Sequence, residues 1–170
     1  MAPTQAPLAD GYVWLGDHQD ALTAAESGYF AHVLCLQRST ETAWTPDRVR
    51  MLRNNGGLLV HIPLYDDERM RYRDIITAAR VLLQLQSNGY EHEGNARTLV
   101  HCSVGASRTA AVYIAACLIS EMGYLGTSGW SCKDVDSLWN GLREVRPVTQ
   151  GMFPHHYELL TGGQYVPSGF

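Results

Sequence analysis

The chain has 170 residues, of which 45% are hydrophobic and 18% charged, and its formal net charge is -4. That length and composition fit one globular domain with a sizeable core and exclude a disordered chain. The mild acidity argues against a general nucleic-acid binder. The four cysteines, Cys35, Cys102, Cys117 and Cys132, contain no CxxC pair, which excludes a disulfide framework and a zinc ribbon and points to a reducing compartment, the cytoplasm. The opening MAPTQAPLAD has neither the basic nor the apolar region of a signal peptide, and the longest near-apolar run, Ala110 to Ile119, is too short to span a bilayer. The expectation is a soluble intracellular protein with no membrane partner.

In chain order, residues 1–10 read as a flexible leader, with Pro3 and Pro7 opposing regular structure. YVWLGD, Tyr12 to Asp17, reads as a strand, followed by a helix to about Ser27 with Gly28 at its stop. FAHVLCLQ, Phe30 to Gln37, is a short apolar run suited to a buried strand. Thr45-Pro46-Asp47 is a helix start, with a capping hydroxyl, proline at the first helical position and an acid in the first turn, and that helix ends at Asn54-Asn55-Gly56-Gly57. LLVHIPL, Leu58 to Leu64, is the next strand, closed by Pro63.

A long helix is expected within Asp66 to Ser87, and Ser87 to Ala96 reads as a polar loop. TLVHC, Thr98 to Cys102, is a short strand, and the helix from Ser107 or Arg108 to Met122 is apolar on nearly all sides, as a central buried helix is. Ser131-x-x-Asp134 starts another helix that ends before Pro147. A last helix is expected from about Gly151 to Leu160, before a flexible tail over 162–170. The alternation of strands and helices predicts a single α/β domain over 11–161, with a central, largely parallel sheet of about four to five strands flanked by helices.

The stretch HCSVGASRT, His101 to Thr109, joins the end of one buried strand to the start of a buried helix. Ligands bind at the carboxyl ends of strands in such sheets, and the first turn of a helix offers unpaired N–H groups and the positive end of its dipole. The small residues Ser103, Val104, Gly105, Ala106 and Ser107 let those N–H groups curl around one tetrahedral anion, and Gly105 supplies any positive φ the curl needs. Cys102 then sits at the floor of the cradle. A helix N-terminus and a nearby arginine favour the thiolate form of a cysteine. Arg108 can grip two oxygens in a planar fork. Thr109 stands where a hydroxyl can hydrogen-bond the sulfur, and the His101 ring can fix the loop.

This H-C-x5-R-T set, in strand–loop–helix context, resembles the signature of the cysteine-dependent protein phosphatases, and HCxxGxSRT most resembles their compact dual-specificity branch. YVWLGD with the helix after it, HVLCLQ, IPLYD (Ile62 to Asp66) and REVRP followed by VTQGMFPHHYELL extend the resemblance over about residues 11–161. Gln150 departs from it, since many relatives carry Asn there. The resemblance implies a phosphotyrosine-phosphatase-like fold and a two-step reaction with no metal or cofactor. Cys102 attacks phosphorus, the loop and Arg108 hold the phosphoryl group, and a carboxylic acid protonates the leaving oxygen and then activates water. It also implies a phosphorylated protein substrate carrying phosphotyrosine, with phosphoserine and phosphothreonine as further candidates. Asp66, three residues after Pro63, is the choice for the acid. Its neighbour Asp67 competes with it.

Other readings stand beside these. Cys35, Cys117 and Cys132 read as core residues, with a disulfide between Cys35 and Cys102 as the sharper alternative. His92 and His155-His156 have no metal-ligand spacing and read as surface or packing residues. Arg69, Arg71 and Arg73 form either a solvated helix face or a basic rim that attracts phosphorylated substrate. The tryptophans read as packing residues. The same chemistry on a phosphoinositide, nucleotide or RNA 5′-phosphate is one alternative function, although the loop's variable positions carry no cation. A silent phosphate-binding module and a rhodanese-like sulfur carrier are others.

Overall fold

The computed structural model describes residues 2–6, 12–91, 97–123 and 129–162. Its strands are β1 (Thr4–Ala6), β2 (Val13–Gly16), β3 (His32–Cys35), β4 (Leu58–His61) and β5 (Thr98–His101). Its helices are α1 (His18–Ser27), α2 (Pro46–Asn54), α3 (Tyr72–Glu91), α4 (Ser107–Met122), α5 (Cys132–Val145) and α6 (Pro154–Leu160), with a 3-10 helix over Pro147–Gly151. The sheet order is β1-β2-β5-β3-β4, and only the β1–β2 pairing is antiparallel. The four parallel strands therefore end on one edge. That edge carries Asp17 after β2, Cys102 after the central β5, Leu36 and Gln37 after β3, and Ile62 to Asp66 after β4.

Alternation along the strands divides the core in two. Val33, Cys35 and Leu99 face Ala21, Ala24, Ala25 and Leu52 of α1 and α2, whereas Leu15, Leu34 and Val100 face α3 to α6. On the second side α4 is the centre, with every residue from Ser107 to Leu118 buried. This explains a helix with no polar stripe, because strands, α3, α5 and α6 surround it.

Local chemistry sets most boundaries. Asp17 caps α1 by accepting the N–H groups of Gln19 and Asp20, while Asp20 accepts that of Asp17. Thr45 caps α2 through Arg48 N, and Ser131 caps α5 through Asp134 N. Among the described residues no helix is long and apolar enough to cross a membrane.

The structure differs from the sequence reading in three places. The leader is not loose throughout: Thr4–Ala6, between the two prolines, pair with Leu15, Trp14 and Val13 as an edge strand, a position where flanking prolines leave the ladder intact. The long helix begins at Tyr72, inside the expected span, because the acid segment before it forms its own turn, with Met70 N donating to Asp67 O. The polar loop is shorter at its start, since α3 continues through Ser87 to Glu91. The last helix begins at Pro154, with proline at its first position, and the 3-10 helix precedes it. Residues 7–10, 92–96 and 163–170, including His92 and most of the expected tail, lie outside the described residues.

Candidate active site

β5 delivers His101 and Cys102 to the middle of the strand edge, and the chain then turns into α4. His101 is fully buried. Trp44 Nε1, which can only donate, bonds His101 Nε2 at 2.8 Å. Nε2 is therefore the acceptor, and Nδ1 carries the proton facing Cys102 O at 3.4 Å. Burial lowers the pKa of this imidazole to about 4, so it holds the loop as a neutral ring.

The loop closes over the sulfur. Gly105 N donates to Cys102 Sγ at 3.2 Å, and Gly105 has φ 74°. A Cβ at Gly105 would stand 2.6 Å from the Gly16 carbonyl oxygen and collide with the Arg146 guanidinium as well. Arg146, fully buried, donates from Nε to Gly105 O at 3.1 Å and from Nη1 to Thr4 Oγ1 at 3.1 Å. Ser103 O accepts His18 N at 3.1 Å, which ties the loop to the start of α1. Ala106 precedes α4 and offers no side-chain cap, leaving the first-turn amides facing the loop. Val104 is 58% exposed at the mouth.

Arg108 is buried to 1% exposure and held from several directions. Nη1 bonds Glu41 and donates to Leu64 O at 3.2 Å, while Nη2 meets Glu41 Oε2 at 3.3 Å, Ser103 Oγ at 3.2 Å and Asp66 Oδ2 at 3.6 Å. Its Nε is buried without a hydrogen-bond partner. Glu41 also accepts Arg38 N at 2.8 Å and Ser103 Oγ–H at 2.9 Å. Gln37, fully buried, donates from Nε2 to Ser103 Oγ at 3.2 Å and to Glu41 O at 3.0 Å, so the β3–α2 loop is fastened to the loop that follows Cys102.

The two candidate acids separate. Asp66 lies over the loop beside Arg108, and burial raises its pKa against the pull of Arg108. Asp67 turns outward into a pairing with Arg69, whose hydrogen bonds hold its carboxyl down to about 2. Thr109 Oγ1 is buried without a partner, so the expected bond to the sulfur is not made here. Cys35 faces the α1–α2 core, its Sγ 3.8 Å from Thr42 Oγ1, and all four cysteines are free. Burial pushes the Cys35 thiol up to about 11. Arg38 and Arg69 sit over the Tyr65 ring at 4.8 and 4.3 Å, and Arg69, Arg71 and Arg73 line a cleft of about 560 Å³ beside it with Glu68 and Asp74. Among the described residues no three His, Cys, Asp or Glu side chains gather as a metal site.

One end of the sheet thus gathers the Cys102 sulfur with the Gly105 N–H upon it, a buried guanidinium whose Nε has no partner, and the Asp66 carboxyl beside that guanidinium. Solved structures share the architecture around it. The Yvh1 phosphatase domain from Chaetomium thermophilum superposes with TM-score 0.66 at 20% identity, covering 94% of this chain and 93% of that one. Human DUSP28 gives 0.60 at 17%, covering 93% and 92%. OH1 from the Orf virus, described as a tyrosine phosphatase with triple substrate specificity, gives 0.60 at 19%, covering 95% and 84%. The chain has the phosphotyrosine-phosphatase-like fold. No protein-family model and no curated protein matches the sequence.

Within this phosphotyrosine-phosphatase-like fold, His101 to Thr109 and Asp66 all converge on one end of the sheet. Sequence reasoning missed Glu41, Gln37, Trp44 and Arg146. Gln37 had a signal, as a polar residue closing an apolar strand, and Arg146 had one in REVRP. Glu41 had none, because nothing local distinguishes it from a solvated loop acid.

Proposed function

We propose that this chain is a cysteine-dependent phosphomonoester hydrolase acting on phosphotyrosine, and on phosphoserine and phosphothreonine, in proteins. The observation that carries the reading is the convergence of Cys102 Sγ, the Gly105 N–H at 3.2 Å, the buried Arg108 with its Nε uncommitted, and Asp66 at 3.6 Å from Arg108 Nη2. In the first step the Cys102 thiolate forms an S–P bond as the ester P–O bond breaks, and Asp66 gives its proton to the leaving oxygen. In the second, Asp66 takes a proton from water, the water oxygen bonds phosphorus, and the S–P bond breaks to return thiolate and release phosphate. Arg108 and the amides of Ser103 to Ser107 carry the charge spread over the transferring group.

Asp66 is favoured over Asp67 for the acid. Its raised pKa keeps a proton available at higher pH than an ordinary carboxyl would, whereas Asp67 is committed to Arg69. The arginines around Tyr65 suit a phosphorylated, acidic protein segment at the mouth. The cytoplasm, which keeps thiols reduced, suits such a nucleophile.

The test is turnover of an aryl phosphate with chelator present. Wild type is expected to turn over, Cys102→Ser to be inactive, and Asp66→Asn to lose about 100-fold or more in kcat, the scale of general-acid catalysis. Asp67→Asn is expected to retain most activity; the reverse order for the two aspartates would move the acid by one residue. Phosphopeptides should then outperform phosphoinositides and nucleotides in kcat/KM, and the opposite ranking would reject the protein substrate.

A further inference from the structure

Arg146 lies in the REVRP segment, between the end of α5 and the 3-10 helix. Proline disfavours helical backbone in the residue before it, and Arg146, before Pro147, leaves the helix at φ -138° and ψ 82°. Its backbone is held on both sides. The amide donates to Leu142 O at 2.8 Å, and the carbonyl accepts Thr149 N at 3.0 Å and the Thr149 hydroxyl at 2.8 Å. The side chain therefore departs from a fixed point, and it is fully buried. Burying a charge is costly, and a side chain needed only to fill that space would carry none.

The guanidinium donates from Nε to Gly105 O at 3.1 Å and from Nη1 to Thr4 Oγ1 at 3.1 Å. Gly105 forms the turn of the loop after Cys102, with φ 74° and its own N–H on the Cys102 sulfur at 3.2 Å. The carbonyl that Arg146 holds belongs to the next peptide, Gly105–Ala106. That peptide is trans, and in a planar trans peptide the N–H points opposite to the carbonyl. With Gly105 O drawn to the guanidinium, the Ala106 N–H points away from it. Ala106 supplies one of the amides that the proposed reaction uses. Thr4 belongs to β1, the three-residue strand at the sheet edge, and pairs there with Leu15. The next residue, Gly16, packs its carbonyl against the Gly105 turn. A chain of contacts therefore runs from Thr4 through Arg146 and Gly105 to the Cys102 sulfur.

We propose that Arg146 is a positioning residue for the loop after Cys102: its Nε–H fixes the Gly105 carbonyl, and with it the direction of the Ala106 N–H, while β1 steadies the guanidinium through the Thr4 hydroxyl. The proposal rests on that loop being the phosphoryl-binding site. Lysine is no substitute, because a single ammonium lacks two donors in a rigid fork. Removing the Thr4 hydroxyl takes away one acceptor and leaves the bond to Gly105, so its effect is the smaller one.

The experiment measures binding of tungstate, a tetrahedral oxyanion, to the whole chain by calorimetry, which reads the loop without turnover. Arg146→Lys keeps the charge and removes the fork. Thr4→Val keeps the shape and removes the acceptor. Asn55→Ala is the control: Asn55 Nδ2 donates to Ala25 O at 3.1 Å and Glu26 O at 3.2 Å, at the edge where the parallel strands begin, so its loss lowers stability away from the loop. The expected result is a rise in Kd of about tenfold for Arg146→Lys and about threefold for Thr4→Val, the range of single hydrogen bonds. The kcat/KM for an aryl phosphate should fall in the same order, and Asn55→Ala should lower Tm with Kd unchanged. Adding Thr4→Val to Arg146→Lys should raise Kd little further, because both act through one guanidinium. An unchanged Kd in Arg146→Lys, or an equal rise in Asn55→Ala, overturns the proposal. Should Arg146→Lys fail to fold, Thr4→Val decides: an unchanged Kd there overturns the link from β1 to the loop, as does full additivity in the double variant. If the wild type binds tungstate but hydrolyses no phosphomonoester, the proposed function falls and the positioning role is still read from Kd. If the wild type does not bind tungstate, both fall.

Discussion

Arg108 commits its terminal nitrogens to the protein and leaves Nε for the phosphoryl group that the proposed reaction places there. Glu41, Leu64 O and Ser103 engage its two terminal nitrogens, while Nε stays uncommitted. Glu41 is thus a support that sets the plane of the fork. Burial works against its ionised form, but the bonds from Arg108, Arg38 N and Ser103 prevail and hold its carboxyl down to about 2. Glu41→Gln keeps the shape and removes the charge. Kinetics on phosphopeptides should show kcat/KM falling about tenfold, with stability lower by about 1 kcal/mol, discounted for the partial exposure of the carboxylate. Unchanged kinetics would mean that Arg108 is oriented by the carbonyls alone. Gly105 is less forgiving. Gly105→Ala must place a Cβ against the Gly16 carbonyl at positive φ, so the loop has to move. A loss of about 100-fold in kcat/KM is expected, as for a misplacement of roughly an ångström; wild-type rates in this variant would show that the turn is not needed.

At the scale of elements, the sheet edge is assembled by caps as much as by strands. Asp17 caps α1, and the next amide, His18 N, reaches Ser103 O of the loop after Cys102. Asp17→Ala should therefore cost about 1 kcal/mol, seen as a fall of about 2–4 °C in Tm, and should lower kcat/KM as well. A fall in Tm with unchanged kinetics would separate the cap from the loop. Elements with chemical punctuation were legible in the sequence. Thr45-Pro46 opened α2, Ser131 opened α5, and the unbroken apolar run after Arg108 announced a buried helix. β1 was not legible, since three residues between prolines become a strand only because β2 offers a ladder. The end of α3 was hidden for a similar reason: Ser87-Asn88-Gly89 reads as a breaker, and propensity is a weak prior. Within the site, His101 to Thr109 and Asp66 could be read because they share one motif and one proline-marked segment. Glu41 and Arg146 come from elsewhere in the chain and acquire meaning only when the fold brings them to the loop.

For the whole molecule, burial of neutral imidazoles makes stability depend on pH. His101 and His156 each have pKa lowered to about 4 from 6.5. Between those values the unfolded chain binds more protons than the folded one, so stability is full above about 6.5 and declines as pH falls towards 4. Each unit of depression corresponds to about 1.4 kcal/mol. Glu41 adds a second loss, beginning near its ordinary 4.5 and running down to about 2. Urea melts across this range should show the decline starting near neutrality; a flat profile from 6.5 to 4 would contradict two buried neutral rings. The sheet order that produces this burial also places Cys102 at the centre of the strand edge, and the central claim is that its sulfur becomes covalently phosphorylated. The most direct test is acid-quenched turnover of a phosphopeptide by Asp66→Asn, followed by peptide mass spectrometry. One phosphoryl group on the Cys102 peptide, absent in Cys102→Ser, is the expected result. Phosphate release by Cys102→Ser at the wild-type rate, or a phosphoryl group on another residue, would contradict it.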